Sequence, residues 1–319
     1  MTTLRADLHV HSWHSRQSGN LRFLRSRDCY SDPGDVYTVA KARGMDLVTI
    51  TDHDSIDGGL ELLARYPDAS DFILGEEVSC RLPDGDIEVH LGVYGMTEGL
   101  HRELQPLRGN VFAVTARLRE AGVFFSLNHL LHFYRGQAAL SSYFRLLDEV
   151  PALETRNGTM LPAHNELTAR IADRSGTAAG SRRLGSIGGS DAHTLRRIGR
   201  TWTEAPGRTR EEFLESLRMG RGSVGGAHGG TAAISGDAYG VIRAYVASLA
   251  GFGPRDHRQL ERALCLLFSV VSLPVQFLPV LIAGAGKWRE SREVRHASAE
   301  LSAWLEQRPA EIMSPEVQV

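Results

Sequence analysis

The residues of this chain that could do chemistry come in short polar clusters, each placed just after an apolar run. The first is Asp7-Leu8-His9-Val10-His11. Side chains alternate across a strand, so His9 and His11 project from one face as a pre-aimed pair of metal ligands. An isolated pair of this kind equally describes two surface histidines. Here the pattern recurs: Thr51-Asp52-His53, Gly75-Glu76-Glu77, His90, Asn128-His129 and Ser190-Asp191-Ala192-His193 follow downstream. All candidate ligands are His, Asp or Glu, without Cys, which suits Zn, Mn or Fe and argues against a structural thiolate zinc site. His9, His11, Asp32, His53, Glu76, His90, His129, Asp191 and His193 are too many for one ion. With a bridging carboxylate they would serve two to three divalent ions. Clustered divalent ions suit phosphate-ester cleavage, because they activate water and neutralise charge developing on the phosphoryl oxygens.

The elements that must position these clusters are legible as alternating strands and helices. Apolar runs at 6–11, 46–51, 72–79, 87–94, 122–128, 152–155 and 184–189 lack clean polar alternation, as expected of parallel strands covered on both faces. Helical stretches lie near 35–43, 57–65, 98–121, 137–149, 161–175 and 209–219, the last with a capping-box start at Thr209 and Glu212. Repeats of this kind predict an α/β fold, a closed or nearly closed (β/α) barrel, whose active site collects at the C-terminal strand ends. The polar clusters fall at those ends. Residues 12–34 form a long Arg- and Ser-rich insertion, read as a lid or specificity element or as a surface excursion.

The bulk numbers are those of an ordinary globular chain: 319 residues, 42% hydrophobic and a net charge of −2. Nothing in them suggests a polyanion-binding surface. Cys29, Cys80 and Cys265 show no metal spacing and cannot all pair, and the sequence runs from Met1 almost directly into the first strand, so a cytoplasmic location is expected. After about residue 222 the text changes. A Gly-rich link leads to a helical appendage over 226–319, with residues 1–225 expected to form the barrel domain. The appendage contains 263–286, a run without a charged side chain that reaches the length of a membrane span but holds Pro274 and Pro279. Two readings of it stay open: contact with a membrane, and a buried hairpin on the barrel or on a second subunit.

Taken together and in this order, HxH, TDHD, GEE, EVHLG, NH and GSDAH resemble the PHP (polymerase and histidinol phosphatase) family, over about residues 6–225. The resemblance implies a distorted (β/α)7 TIM-like barrel with a trinuclear metal site and, in most members, phosphoesterase activity. Carried over by position, it implies one ion at His9, His11, Glu76 and Asp191. A second would share Glu76 with His90 and His129, and a third would sit at Asp32, His53 and His193. Asp52 would orient an imidazole. Two positions carry an alternative. Asp32 precedes Pro33 at a helix start, where Asp is a routine N-cap. Glu76 and Glu77 face opposite ways, so a frame shift of one makes Glu77 the bridge.

The expected function is a metal-dependent hydrolase of small phosphate esters, with Asp52, Glu76 and His193 at the reacting centre and a nucleotide, sugar or amino-alcohol phosphate as substrate. His132, Arg135, Arg156, Asn157, His164, Arg196 and Arg197 are the substrate-binding shortlist, since Arg suits bidentate phosphate recognition. A nuclease on short oligonucleotides would want a basic, aromatic-lined channel that the composition does not announce. A lysine-bridged amidohydrolase is disfavoured, since Lys41 falls in a helix and Lys287 outside the barrel. A non-catalytic scaffold or membrane adaptor would have lost ligands. The expected partners are a small phosphorylated substrate and a membrane or homo-oligomer contact through 263–286, with no stable nucleic-acid partner.

Overall fold

The computed structural model describes residues 2–15, 24–83, 87–132, 140–175, 184–254, 256–275 and 277–311. The strands are β1 (Thr3–Asp7), β2 (Leu47–Ile50), β3 (Phe72–Leu82), β4 (Ile87–Tyr94), β5 (Phe124–Leu127), β6 (Ala152–Asn157), β7 (Gly185–Gly189), β8 (Thr201–Pro206) and β9 (Ser223–Gly226). Among the described residues they form one sheet in the order β7-β6-β5-β4-β3-β2-β1-β8-β9. The sheet curls into a nearly closed barrel. Val10 pairs with Ala192 in parallel beyond the ends of β1 and β7, with His11 N donating to Ala192 O at 3.1 Å. β2 and β5 are buried at every position, which is why they read as continuous apolar runs.

Helices α1 (Pro33–Ala42), α2 (Asp57–Arg65), α3 (Glu98–Leu104), α4 (Val111–Glu120), α5 (Leu140–Glu149), α6 (Pro162–Ser175) and α7 (Arg210–Arg218) wrap the barrel. They bury apolar faces such as Val111, Val114 and Leu118 against the strands. The fold is the expected α/β barrel, with five departures. β8, which no predicted strand covered, pairs antiparallel with β1 and with β9. The β3–β4 and β4–β5 pairs are antiparallel, so the parallel repeat is interrupted there. The helix expected over 98–121 is two helices, parted by a 3-10 turn at Gln105–Leu107 and restarted by the Asn110 side chain, which accepts from Phe112 N at 3.0 Å. β1 ends at Asp7, so His9 and His11 lie just past it. Part of the expected Gly-rich link forms β9, in which Gly225 lets the chain lie flat on Trp202: a Cβ there would come 2.7 Å from the indole.

The remaining helices are α8 (Thr231–Leu249), α9 (Gln259–Val271) and α10 (Leu278–Glu311). α10 is pinned to the barrel. Val294 and Ala297 join the main core with Leu167 and Ile171 of α6, and Glu290 accepts from Leu161 N at 2.7 Å. No single described helix is long and apolar enough to cross a membrane; α9 and α10 pass that test only as a pair bent by 54°. Residues 16–23 of the insertion, 137–139 of the helix expected over 137–149, and Arg135 lie outside the described residues.

Candidate metal centre

The strand ends bring the polar clusters to one rim. The stretch bearing His9 and His11 is locked by Asp7, a fully buried carboxylate that accepts from Ser190 N, Ser190 Oγ and Gly199 N at 2.8, 2.6 and 2.7 Å. Burial pushes its pKa up to about 6 despite those donors. Gly189 is needed opposite, because a Cβ there would stand 2.3 Å from His9 Cβ. His53 follows β2 and pairs through its backbone with Glu77 of β3. The antiparallel register of β3 and β4 sets Ser79 beside His90, two residues on from Glu77 and so on the same face. His129 follows β5 and Asp191 follows β7, both left-handed, at φ +29° and +51°. Non-glycine residues held there cluster at functional sites, where the surroundings over-determine them.

Glu77, not Glu76, stands at the centre. Its Oε2 lies 3.0 Å from His9 Nε2, 3.1 Å from His53 Nδ1 and 3.5 Å from His11 Nε2. Its Oε1 lies 3.0 Å from His129 Nε2 and 3.3 Å from His90 Nδ1. Asp191 Oδ1 closes the group at 3.4 Å from His11 and 3.5 Å from His193. Burial alone would raise the Glu77 carboxyl, but the imidazoles of His9, His53 and His90 hold it well below the usual carboxylate range. The expectation for Glu76 is corrected by strand alternation. Its carboxylate points to the other face, 2.8 Å from His101 Nδ1 of α3.

Asp32 is likewise corrected. It caps α1, accepting from Gly34 N at 2.7 Å and pairing with Arg65 at 2.6 Å. The aspartate turned towards the histidines is Asp28, with Oδ2 3.8 Å from His53 Nε2 and 4.0 Å from His193 Nε2. Asp52 does not meet an imidazole. It holds Ser12, accepting from its N and Oγ at 2.5 and 2.6 Å, and burial pushes its pKa up to about 7. The carboxylate that does orient an imidazole is Glu154 of β6, 2.9 Å from His9 Nδ1, which leaves Nε2 facing Glu77. No motif marked Glu154; its place two residues before the singled-out Arg156-Asn157 pair was the available signal.

The substrate shortlist disperses. Arg156 donates to Gly226 O at 2.8 Å, tying β6 to β9. Asn157 is buried and donates to Glu154 Oε2 at 2.9 Å and Asp191 Oδ2 at 3.2 Å, so it steadies two carboxylates. Arg197 is buried against Asp237 at 3.3 Å, Arg196 is largely exposed, and His164 faces Glu290 of α10 at 3.3 Å. His132 keeps its place beside the centre, its ring 5.2 Å from that of His129, and lines the pocket. Cys29 and Cys80 are buried thiols, with Cys29 pushed up to about 12 by burial, and have no nucleophilic character.

The set fits divalent cations. His11 Nε2, His53 Nδ1 and Asp28 Oδ1 are buried without a hydrogen-bond partner, and such polar atoms call for a ligand. Among the described residues, four overlapping groups bring at least three donor atoms within 4.8 Å of one another: His11, His53 and His193; His9, His11 and Glu77; His9, His129 and Asp191; His53, Glu77 and His90. The donors are imidazole nitrogens and carboxylate oxygens, the mixture that Zn, Mn and Fe accept. Above them opens a pocket of about 710 Å³, floored by His53, His90, His129, Asp191 and His193 and walled by α8 and α10. The sequence reading did not bring those helices to the site.

Comparison with known proteins bears on the family and the fold. The sequence profile of the PHP-associated family matches residues 164–221, the stretch that carries Asp191 and His193. An uncharacterised protein of Methanocaldococcus jannaschii is 40% identical over 58 residues, which cover 18% of this chain and 33% of that relative's length. A two-domain protein of Bacteroides vulgatus, described as containing a predicted PHP-like metal-dependent phosphoesterase, shares the fold. Its TM-score is 0.51 at 16% identity, over 77% of this chain and 70% of that one. PsfC of Pseudomonas syringae aligns with a TM-score of 0.49 at 19% identity, over 78% of this chain and 99% of that one.

Proposed function

From a chain that is PHP-like in its motifs, its barrel and its PHP-associated segment, we propose a metal-dependent hydrolase that cleaves phosphate esters of small molecules. The observation that carries this reading is the ring of five imidazoles, four of them buried, around the buried Glu77 carboxylate, opening onto a pocket. His9, His11, Glu77 and Asp191 would hold one ion, Glu77, His90 and His129 a second, and His53, His193 and Asp28 a third. Bound divalent ions supply Lewis acidity towards phosphoryl oxygens and lower the pKa of water, so that no separate strong base is needed.

The chain's own residues do the rest. Glu77 keeps five imidazoles turned inward by its charge, and Glu154 fixes the His9 tautomer. Asn157 and Thr159 donate to Asp191 Oδ2 at 3.2 and 2.9 Å and hold that carboxylate in place. His132, which lines the pocket beside His129 and stands outside the ligand set, is the imidazole able to meet a bound phosphate ester as a hydrogen-bond donor. Asp52 holds Ser12 from behind, and Glu76 holds the side chains of His101 and Gln105 on the far face of β3. A cavity walled by helices takes a small molecule more readily than an extended oligonucleotide.

The test is elemental analysis of the purified chain, in parallel with phosphate release from a panel of phosphomonoesters and bisphosphates. Two to three transition ions per chain, with turnover lost in Glu77→Gln, is the expected result. No metal and no turnover after reconstitution with Mn, Zn or Fe overturns the reading.

A further inference from the structure

α9 and the first turns of α10 leave an apolar surface that the barrel does not cover. Leu264, Leu267, Val271, Phe277 and Leu281 are 58%, 60%, 68%, 58% and 58% exposed, in a stretch without a charged side chain. Contiguous exposed apolar surface of this extent marks an interaction site. The segment is anchored on either side of its bend: Cys265 packs with Tyr245 and Leu249 of α8, and α10 is held from Ala283 onward, by Lys287 Nζ donating to Thr159 O at 2.6 Å, by Glu290 and by the main core at Val294. Between those anchors the chain bends by 54°.

The chemistry at its edges favours a lipid surface. α9 has 13 residues, so it is roughly 20 Å long against a hydrocarbon core of about 30 Å. Neither helix is by itself long and apolar enough to cross, which suits insertion from one side of a bilayer. Arg258 precedes the apolar run, and Arg289, Arg292 and Arg295 follow it, all exposed. The acids between them are each in an ion pair, Glu261 with Arg25, Glu290 with Lys287 and Glu293 with Arg289, which leaves Arg258, Arg292 and Arg295 for anionic headgroups. Trp288 is 63% exposed with the Arg292 guanidinium 5.4 Å from its ring, an amphipathic pair suited to the headgroup level. In a second copy packed across a two-fold axis those cations would meet their own kind.

The same surface runs into the candidate active site. Ile242 and Ile282 are exposed on the patch and also line the pocket, where Ile234, Val241 and Ala283 continue an apolar wall down to the histidines. We propose that the bent α9–α10 segment seats in a lipid surface, and that the pocket draws from it a phosphate ester carrying an apolar chain, the phosphate on the histidine floor and the chain along the α8–α10 wall. The substrate half of this rests on the phosphoesterase reading; the docking half does not.

The full-length chain is tested by co-sedimentation with phosphatidylcholine vesicles, plain and doped with phosphatidylglycerol. The comparison is the triple variant Leu267→Glu/Phe277→Glu/Leu281→Glu, which changes exposed side chains outside the pocket. Binding is expected, stronger with the anionic lipid, and reduced at least about 100-fold in the variant. Its melting temperature and its turnover of p-nitrophenyl phosphate should match wild type. Metal-loaded wild type should prefer a long-chain alkyl phosphate to a short-chain one by at least about tenfold in kcat/KM, one or two buried methylenes being enough for that. A wild-type chain that ignores both vesicles, or forms a dimer that the variant dissolves, overturns the docking. Equal turnover of both chain lengths overturns the substrate class. No hydrolysis of any phosphate overturns the phosphoesterase reading instead, while vesicle binding still decides the docking.

Discussion

Two adjacent glutamates in this chain should behave as opposites. Glu77 is fully buried with five imidazole nitrogens within 3.5 Å, and it also accepts from Asn128 Nδ2 at 3.0 Å. Removing one unit charge about 4 Å from a divalent cation in a partly screened site weakens the interaction by at least about 4 kcal/mol, the figure for a single positive charge, or at least roughly 10³-fold in affinity. Glu77→Gln should therefore release metal under dialysis and lose turnover by at least that factor. Glu76 faces away, held by His101 Nδ1 at 2.8 Å and Gln105 Nε2 at 3.3 Å. Glu76→Gln removes one charge-assisted contact, about 1.5–3 kcal/mol of stability, and lowers Tm by several degrees. It should keep wild-type metal content. Elemental analysis after dialysis, chelator competition and thermal melts on both variants make the comparison. Metal loss in Glu76→Gln with retention in Glu77→Gln would refute the strand parity on which the assigned centre rests.

Three further outcomes follow from the same geometry. Asp28→Asn should lower metal content or loosen one ion, whereas Asp32→Ala should cost about 1 kcal/mol of stability as a lost helix cap with metal content unchanged; the reverse pattern would return Asp32 to the site. Glu154→Gln should weaken metal binding about 10–100-fold by freeing the His9 ring, and unchanged chelator competition would count against that role. Despite burial, His164 and Lys287 hold the Glu290 carboxyl at about 2 instead of 4.5, a difference that contributes about 3 kcal/mol. Because the folded pKa is depressed, this contribution is complete above about pH 4.5 and is lost as pH falls towards 2. Glu290→Gln should melt lower than wild type at neutral pH, and the gap should narrow below about pH 4.5; a constant gap in melts down to pH 3 would show that the ion pair does not hold α10 to the barrel.

The sequence by itself determined a good deal. Local periodicity marked seven of the strands and the helices α1, α2, α5, α6 and α7, because buried runs and amphipathic stripes are written in the order of residue types. The spacing of His9, His11, His53, His129, Asp191 and His193 after apolar runs was enough to bring them to one rim, since parallel strands deliver their C-terminal ends together, whereas His90 reaches the same centre from within the antiparallel β4. What it could not decide were matters of parity and of distance along the chain. Which of Glu76 and Glu77 faces the histidines depends on the register of β3 against β4, and a shift of one residue exchanges the faces. Whether Asp28 or Asp32 turns inward depends on where α1 begins, because the residue that caps a helix spends its carboxylate on backbone amides. Glu154 carries no motif and Asn157 was marked for substrate instead, and their supporting role exists only because β6 passes beside the turns that hold His129 and Asp191. The apolar wall is the furthest from sequence: α10 meets the site more than a hundred residues after His129, through contacts that only the folded chain makes.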